Sequence, residues 1–294
     1  MKIIKTIKDM QQFRRHHQLE TIGLVPTMGF LHEGHTSLMK KAVAENDLVV
    51  ASIFVNPLQF GPKEDFATYP RDEKRDQEKA KANGVDVLFI PDTKEMYPEP
   101  MKVHLSIKER VTVLCGASRK GHFDGVITVL TKLFNIIQPE TAYFGLKDAQ
   151  QVAVVSSLIE DLNFPIRLSA EPTIREDDGL AKSSRNVHLS QAERKEAKHL
   201  YKALLHGLEQ YIKQSLTRDE LITSVRQYLI THTNSEIDYV DFLSYPDLKH
   251  VTAQSELMIL AVAVKYKQAR LIDNIIFNRS GDIIETIKFN ELKS

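Results

Sequence analysis

The feature that most limits how this chain can fold is the stretch Pro26-Thr27-Met28-Gly29-Phe30-Leu31-His32-Glu33-Gly34-His35-Thr36. Ahead of it, Ile22-Gly23-Leu24-Val25 is a short apolar run closed by a proline, the pattern of a buried strand. Behind it, Leu38, Met39, Ala42 and Val43 share one helical face, so a helix begins near Gly34. A strand, a glycine-punctuated turn and a helix start direct backbone N–H groups and a positive dipole end at one spot, a common setting for phosphate. His32 and His35 fall on the same side of that first turn and can donate hydrogen bonds to phosphoryl oxygens. The stretch reads as a nucleotide site.

Three other readings compete with it. Gly29-x4-Gly34-His35-Thr36 has the glycine spacing of a P-loop, but His stands where that loop needs Lys. Two His at this spacing could chelate zinc, yet no Cys is near and Glu33 points elsewhere on a helix. A structural turn with incidental histidines is the default for an isolated pair, and the rest of the chain decides against it.

At 294 residues the chain has room for one large or two ordinary domains. Lys+Arg and Asp+Glu are equal at 39 each, so net charge favours neither nucleic acid nor a membrane surface as partner. The single Cys115 rules out an internal disulfide or a Cys-cluster metal site and fits a reducing cytoplasm. No continuous apolar segment of the signal or membrane-spanning type is present, so the expectation is a cytoplasmic protein.

Along the chain, an early strand (Lys2 to Ile7) and a polar helix precede the motif. Asp47 to Val55 is nearly all apolar and β-branched, as in a parallel strand buried on both faces. It stops at Asn56-Pro57-Leu58-Gln59, polar residues at a strand's carboxyl end, where α/β sheets bind ligands. A charged helix from Asp72 to about Asn83, with Asp76 on it, leads to a third strand, Val85 to Ile90. Val103-His104-Leu105-Ser106 alternates like a strand, and residues 116–125 form a glycine-rich basic loop with Arg119, Lys120 and His122 suited to an anion. A helix over 126–137 and a strand over 141–145 follow, ending in Lys147, Asp148 and Gln151. Three polar clusters at three strand ends are hard to dismiss as turn chemistry.

A fifth strand, Ile166 to Thr173, runs into a polar loop, Arg175 to Asn186, that could close over a triphosphate. After Ser190 the pattern is α+β, with capping boxes at Ser190/Glu193 and Thr217/Glu220 and later strands at 238–242, 257–264 and 270–274. The expected architecture is α/β: a Rossmann-like doubly wound parallel sheet over 1–176 and a smaller C-terminal α+β lid over 177–294.

His32-Glu33-Gly34-His35 and the later Lys182-Ser183-Ser184-Arg185 resemble the HIGH and KMSKS signatures of the nucleotidyltransferase superfamily. Within it, six motifs in order resemble the pantothenate synthetase (pantoate–β-alanine ligase) family. They are P-T-M-G-x-L-H-E-G-H at 26–35, F-V-N-P-x-Q-F at 54–60, Y-P-R at 69–71, G-H-F-x-G-V at 121–126, Y-F-G-x-K-D-x-Q-Q at 143–151 and S-S-R-N at 183–186. The resemblance covers residues 26–186; the C-terminal third has no comparably specific motif.

That resemblance implies adenylation of pantoate by ATP with loss of pyrophosphate, then attack by β-alanine to give pantothenate and AMP. It implies catalytic roles for His32, His35, Lys147, Ser183 and Arg185, and a pantoate site made by Met28, Asn56, Gln59 and Gln151. ATP would be held by Met28, Gly34, His35, Gly145, Lys147, Asp148, Lys182, Ser183, Ser184 and Arg185. Mg2+ would be carried mainly by the ATP phosphates. Asp76 and Arg119 are further candidates, as a metal- or β-alanine-side acid and as a substrate contact. A homodimer is implied by resemblance alone. Lys182 stands where a methionine commonly precedes Ser-Ser-Arg-Asn. Two other functions compete: a nucleotidyltransferase acting on a phosphorylated acceptor, and a nucleotide-sensing or RNA-binding module, whose RNA version the zero net charge disfavours.

Overall fold

A computed structural model describes residues 1–62, 64–214 and 216–289. Its strands are β1 (Lys2–Ile4), β2 (Ile22–Thr27), β3 (Leu48–Ile53), β4 (Val87–Phe89), β5 (Thr141–Gly145), β6 (Arg167–Glu171), β7 (Glu236–Tyr245), β8 (Leu257–Lys265), β9 (Arg270–Asn278) and β10 (Ile287–Lys288). The helices are α1 (Ile7–His16), α2 (Glu33–Glu45), α3 (Glu73–Ala82), α4 (Thr93–Met96), α5 (Leu114–Ser118), α6 (His122–Ile137), α7 (Ala149–Asp161), α8 (Gln191–Ala197), α9 (His199–Lys213) and α10 (Arg218–His232). None is long and apolar enough to cross a membrane.

Seven strands form one sheet in the order β1-β4-β3-β2-β5-β6-β10, parallel except for β10, which runs antiparallel to β6. From β2 the chain steps to β3 and β4 on one side and later to β5 and β6 on the other. The order therefore reverses between β2 and β5, where a doubly wound sheet opens a crevice. Period-two alternation separates the two faces. Leu24, Val50, Val87, Phe89, Ala142 and Phe144 join Met10 of α1 and the apolar sides of α6 and α7. Their neighbours Val25, Val49, Ala51, Leu88 and Tyr143 face Leu38, Met39 and Ala42 of α2 and Ala80 of α3.

The second sheet is antiparallel, β7-β8-β9. One of its faces (Phe242, Leu260, Val262, Phe277) packs on Leu200, Leu204, Val225 and Leu229 of α9 and α10. The other (Leu243, Ile259, Ala261, Ile276) joins the large core. Within the expected 177–294 unit, β10 returns to the edge of the large sheet.

Two sequence expectations fail. Residues 103–106 form no strand; this segment's neighbour Ile107 N is satisfied by the Asp124 carboxylate at 3.0 Å rather than by a ladder. The expected loop at 116–125 is largely helical, with α5 ending at Ser118 and α6 starting at His122. Gly116 permits this, because a Cβ there would overlap the Val111 backbone at 2.6–2.8 Å.

Gly125 has the same kind of task at a more consequential place. A Cβ on it would fall within 2.6 Å of Gln59 N and inside the shell of the Leu58 carbonyl. Only glycine lets α6 come this close to the turn that carries Gln59. Gly125→Ala is expected to destabilise the fold by about 1–3 kcal/mol in urea unfolding. The contrasting variant is Gly145→Ala, whose Cβ would meet nothing within 4 Å and which should change stability by about 0.5 kcal/mol or less.

Candidate active site

At the switch point, the carboxyl ends of β2 and β5 open into a cleft of about 200 Å3, with Met28, His32, His35, Gln59, Lys147 and Gln151 on its walls. A larger chamber of about 530 Å3 adjoins it and shares Arg119, His122, Lys147, Gln151 and Arg185. The chemistry-bearing residues concentrate in the smaller cleft.

The motif turn is built from its own side chains. Thr27 Oγ1 donates to Ser52 O on β3 (2.8 Å) and accepts from Gly29 N (3.1 Å), fixing the exit from β2. His32 is then the N-cap of α2: its Nδ1 accepts from Gly34 N at 3.1 Å, while His35 Nδ1 accepts from His32 N at 3.3 Å. The two rings lie 4.0 Å apart between centroids. The helix N-terminus thus differs from the bare amide cradle expected of a phosphate site, since the imidazoles already satisfy two of its amides. Because each Nδ1 accepts from an amide, each neutral ring carries its proton on Nε2. Burial first, then the facing His35 and the Lys147 ammonium, lower His32 from 6.5 to about 2. Burial lowers His35 to about 4, with Lys147 adding to the effect and Asp148 opposing it. At neutral pH the pair presents two N–H donors without charge.

Gln59 lies across the cleft, its Nε2 donating to Met28 Sδ at 2.9 Å. Asn56 does not line the cleft. Its Nδ2 donates to Gln59 Oε1 (3.2 Å) and Gly125 O (3.0 Å), and its Oδ1 accepts from Tyr97 OH (3.0 Å), so it buttresses Gln59 from below. His122 Nδ1–H donates to Gln59 O at 2.7 Å, leaving Nε2 to accept from Arg119 at 2.9 Å. Burial and that guanidinium lower His122 to about 4. Arg119 is itself paired with Glu64 at 2.6 Å.

Lys147 sits on the turn after β5, 3.6 Å from Asp148. That turn is tied from a distance: Asn274 Nδ2 on β9 donates to Leu146 O (3.0 Å) and Lys147 O (2.9 Å). Gly145, at the end of β5, faces open cleft where a side chain would protrude. The loop after Arg175 docks on the motif, with Ser184 Oγ donating to Phe30 O at 3.4 Å and Ser183 and Arg185 on the cleft wall. Arg185 makes a two-point pair with Asp65 at 2.8 and 3.0 Å, over the buried Tyr69 ring. Lys182 lies outside the cleft lining and bridges Glu176 (2.7 Å) and Glu33 (3.4 Å), the residue that follows His32. Asp76 stands behind the motif rather than on the cleft wall, its carboxylate accepting from Phe30 N and Leu31 N. Among the described residues, no group of three His, Cys, Asp or Glu converges to hold a metal ion.

Glu64, Asp65 and Asn274 also shape the site, and sequence reasoning misses all three. Each acts on a partner 55 to 128 positions away, and no local signal marks them.

A family model described as pantoate-beta-alanine ligase matches residues 2–276. The chain belongs to the pantoate–β-alanine ligase family. It is 58% identical over 277 residues to the pantothenate synthetase of Geobacillus sp. (strain WCH70), covering 94% of this chain and 98% of that one. A crystal structure of pantothenate synthetase from Thermus thermophilus superposes with a TM-score of 0.87 at 42% identity, covering 94% and 99% of the two chains. Another, of pantoate-beta-alanine ligase from Francisella tularensis complexed with beta-gamma ATP and beta-alanine, gives 0.77 at 34% identity, with 95% and 98% covered. The chain is therefore a ligase that joins pantoate to β-alanine, and the cleft described above lies where its doubly wound sheet reverses.

The histidine pair gives this ligase a pH signature. Both rings titrate near 6.5 when unfolded and well below it when folded, so the folded state binds fewer protons. Their contribution to stability is complete above about pH 6.5 and is lost as the pH falls, toward about 4 for His35 and about 2 for His32. Unfolding free energies measured from pH 7.5 to 4.5 should decline less steeply in a His32→Asn/His35→Asn variant than in the parent protein.

Proposed function

We propose that the cleft condenses pantoate with β-alanine through a pantoyl-adenylate, with ATP as the adenylyl donor. The carrying observation is the pair of uncharged Nε2–H donors set into the N-terminus of α2 beside Lys147. Adenylyl transfer asks little covalent chemistry of a protein; it needs in-line positioning and relief of charge developing on phosphate oxygens. The pantoate carboxylate oxygen attacks the α-phosphorus and pyrophosphate leaves. The β-alanine amine then attacks the acyl carbon, loses a proton, and AMP departs with its oxygen.

His32 and His35 would donate to the oxygens of the α- and β-phosphates, and the dipole of α2 adds to their effect. Lys147, with Ser183, Ser184 and Arg185 of the docked loop, would hold the β- and γ-phosphates. Gln59 and Gln151 with Met28 suit the hydroxy acid, because amides orient its carboxylate without the ground-state stabilisation an ammonium would give. Gly145 leaves room for ribose beside Asp148, whereas Gly34, expected at the nucleotide, lies off the cleft wall and leaves room for the His32 ring, which a Cβ there would meet at 2.9 Å. Asn56 acts through Gln59, and Arg119 through His122. Magnesium would arrive on the nucleotide phosphates, where it neutralises charge. Family resemblance supports a homodimer, and the single Cys115 supports a cytoplasmic setting. The β7–β9 unit supports a lid role, since β9 reaches the Lys147 turn through Asn274.

The test is pyrophosphate release from Mg-ATP with pantoate, with and without β-alanine. Continuous turnover to pantothenate and AMP is expected only with all three substrates. His35→Ala should cost about 10²- to 10³-fold in rate while leaving the fold intact. Release independent of pantoate, or a fully active His35→Ala, would overturn the assignment.

A further inference from the structure

We propose that Asp76 is a positioning residue for the adenylation half-reaction, its carboxylate holding the Phe30–Leu31 backbone in the conformation that sets His32 and His35 against the phosphates. The inference rests on the histidine contact proposed above and goes beyond it to what makes that contact possible.

Asp76 is only 1% exposed, on a helix whose other residues are mostly charged and facing out. Each of its oxygens is committed to a backbone amide: Oδ2 accepts from Phe30 N and Oδ1 from Leu31 N, both at 2.7 Å. Those amides belong to a turn that does not hold its shape unaided. Gly29 has φ +84° and Phe30 φ +50°, two consecutive left-handed residues, a conformation an aromatic side chain seldom takes. The rest of α3 reinforces the hold. Lys79 Nζ donates to Leu31 O at 3.0 Å, and the Arg75 guanidinium lies 4.6 Å over the Phe30 ring.

The next residue is His32, whose amide donates to the His35 ring and whose own ring accepts from Gly34 N. A rotation at Phe30–Leu31 therefore moves both rings together. Two adjacent N–H donors require two acceptors on one small group, which a carboxylate supplies. An asparagine of the same shape offers one acceptor and turns an N–H toward an N–H. Asp76 touches no cleft surface, so its influence on the reaction passes through the histidines.

The experiment compares Asp76→Asn with the parent protein in each half-reaction, with ATP affinity measured by calorimetry to confirm a folded site. Pantoate-dependent pyrophosphate release should slow by about 10- to 100-fold, with KM for ATP within about threefold. Pantothenate formation from supplied pantoyl-adenylate and β-alanine should stay within about twofold of the parent, a split that general loss of structure does not produce. Should the Asn variant fold poorly, Asp76→Ser carries the same expectation. Pyrophosphate release within about threefold of the parent, or equal loss in both half-reactions, would overturn the proposal. His35→Ala run in parallel separates the two readings: slow His35→Ala with fast Asp76→Asn removes only the role of Asp76. Full activity in His35→Ala removes the histidine reading and this one with it.

Discussion

The structure depends on a reciprocal cap at the start of α2, where His32 Nδ1 takes the Gly34 amide and His35 Nδ1 takes the His32 amide. Capping normally falls to Ser, Thr, Asp or Asn, whose oxygens satisfy the orphan amides of a first turn. An imidazole doing this task has a second nitrogen left over, and the cap itself decides that this nitrogen carries the proton. One set of hydrogen bonds thus starts the helix, chooses the tautomer and aims two donors outward. Because the rings are partly buried and face Lys147, they stay neutral, so the cleft offers hydrogen bonds without a fixed charge at that point.

Positive charge is distributed around this pair rather than in it. Arg119 is matched by Glu64 and Arg185 by Asp65, two acids adjacent in sequence that reach two separate arginines. These pairs keep the guanidiniums oriented at the rim, and a partly buried bidentate pair does so more firmly than an exposed one. Lys147 is positioned by its backbone instead, through Asn274. The C-terminal sheet therefore contributes to the site without placing a catalytic group in it. The Arg175–Asp273 pair, at 2.7 and 3.0 Å with Asp273 buried, secures the strand that carries Asn274.

Much of this was legible in the sequence, for a physical reason. In a doubly wound sheet the functional groups follow strand ends, so His32, Gln59, Lys147 and Gln151 could be picked out from where apolar runs stop. What stayed hidden is the set of partners. Asn56 looked like a ligand but is turned inward by Tyr97, 41 positions later, and by the backbone of Gly125. Asp76 is a candidate metal- or β-alanine-side acid by resemblance alone; only the fold shows it lying under Phe30, with both oxygens taken by backbone amides. Residues 103–106 alternate like a strand, yet alternation cannot supply a neighbouring edge, and the segment lies against α6 through Asp124. Lys182 departs from the resembling pattern, and its ammonium bridges Glu176 and Glu33 instead of entering the cleft.

The most direct test of this account is the protonation state of the two motif histidines in the folded ligase, read from 15N chemical shifts of selectively labelled imidazole at neutral pH. The account predicts that both rings are neutral with the proton on Nε2, and that both remain so well below pH 6.5. Imidazolium signals at neutral pH, or a proton on Nδ1 of either ring, would contradict it. Either result would mean that the reciprocal cap does not set the chemistry of the cleft.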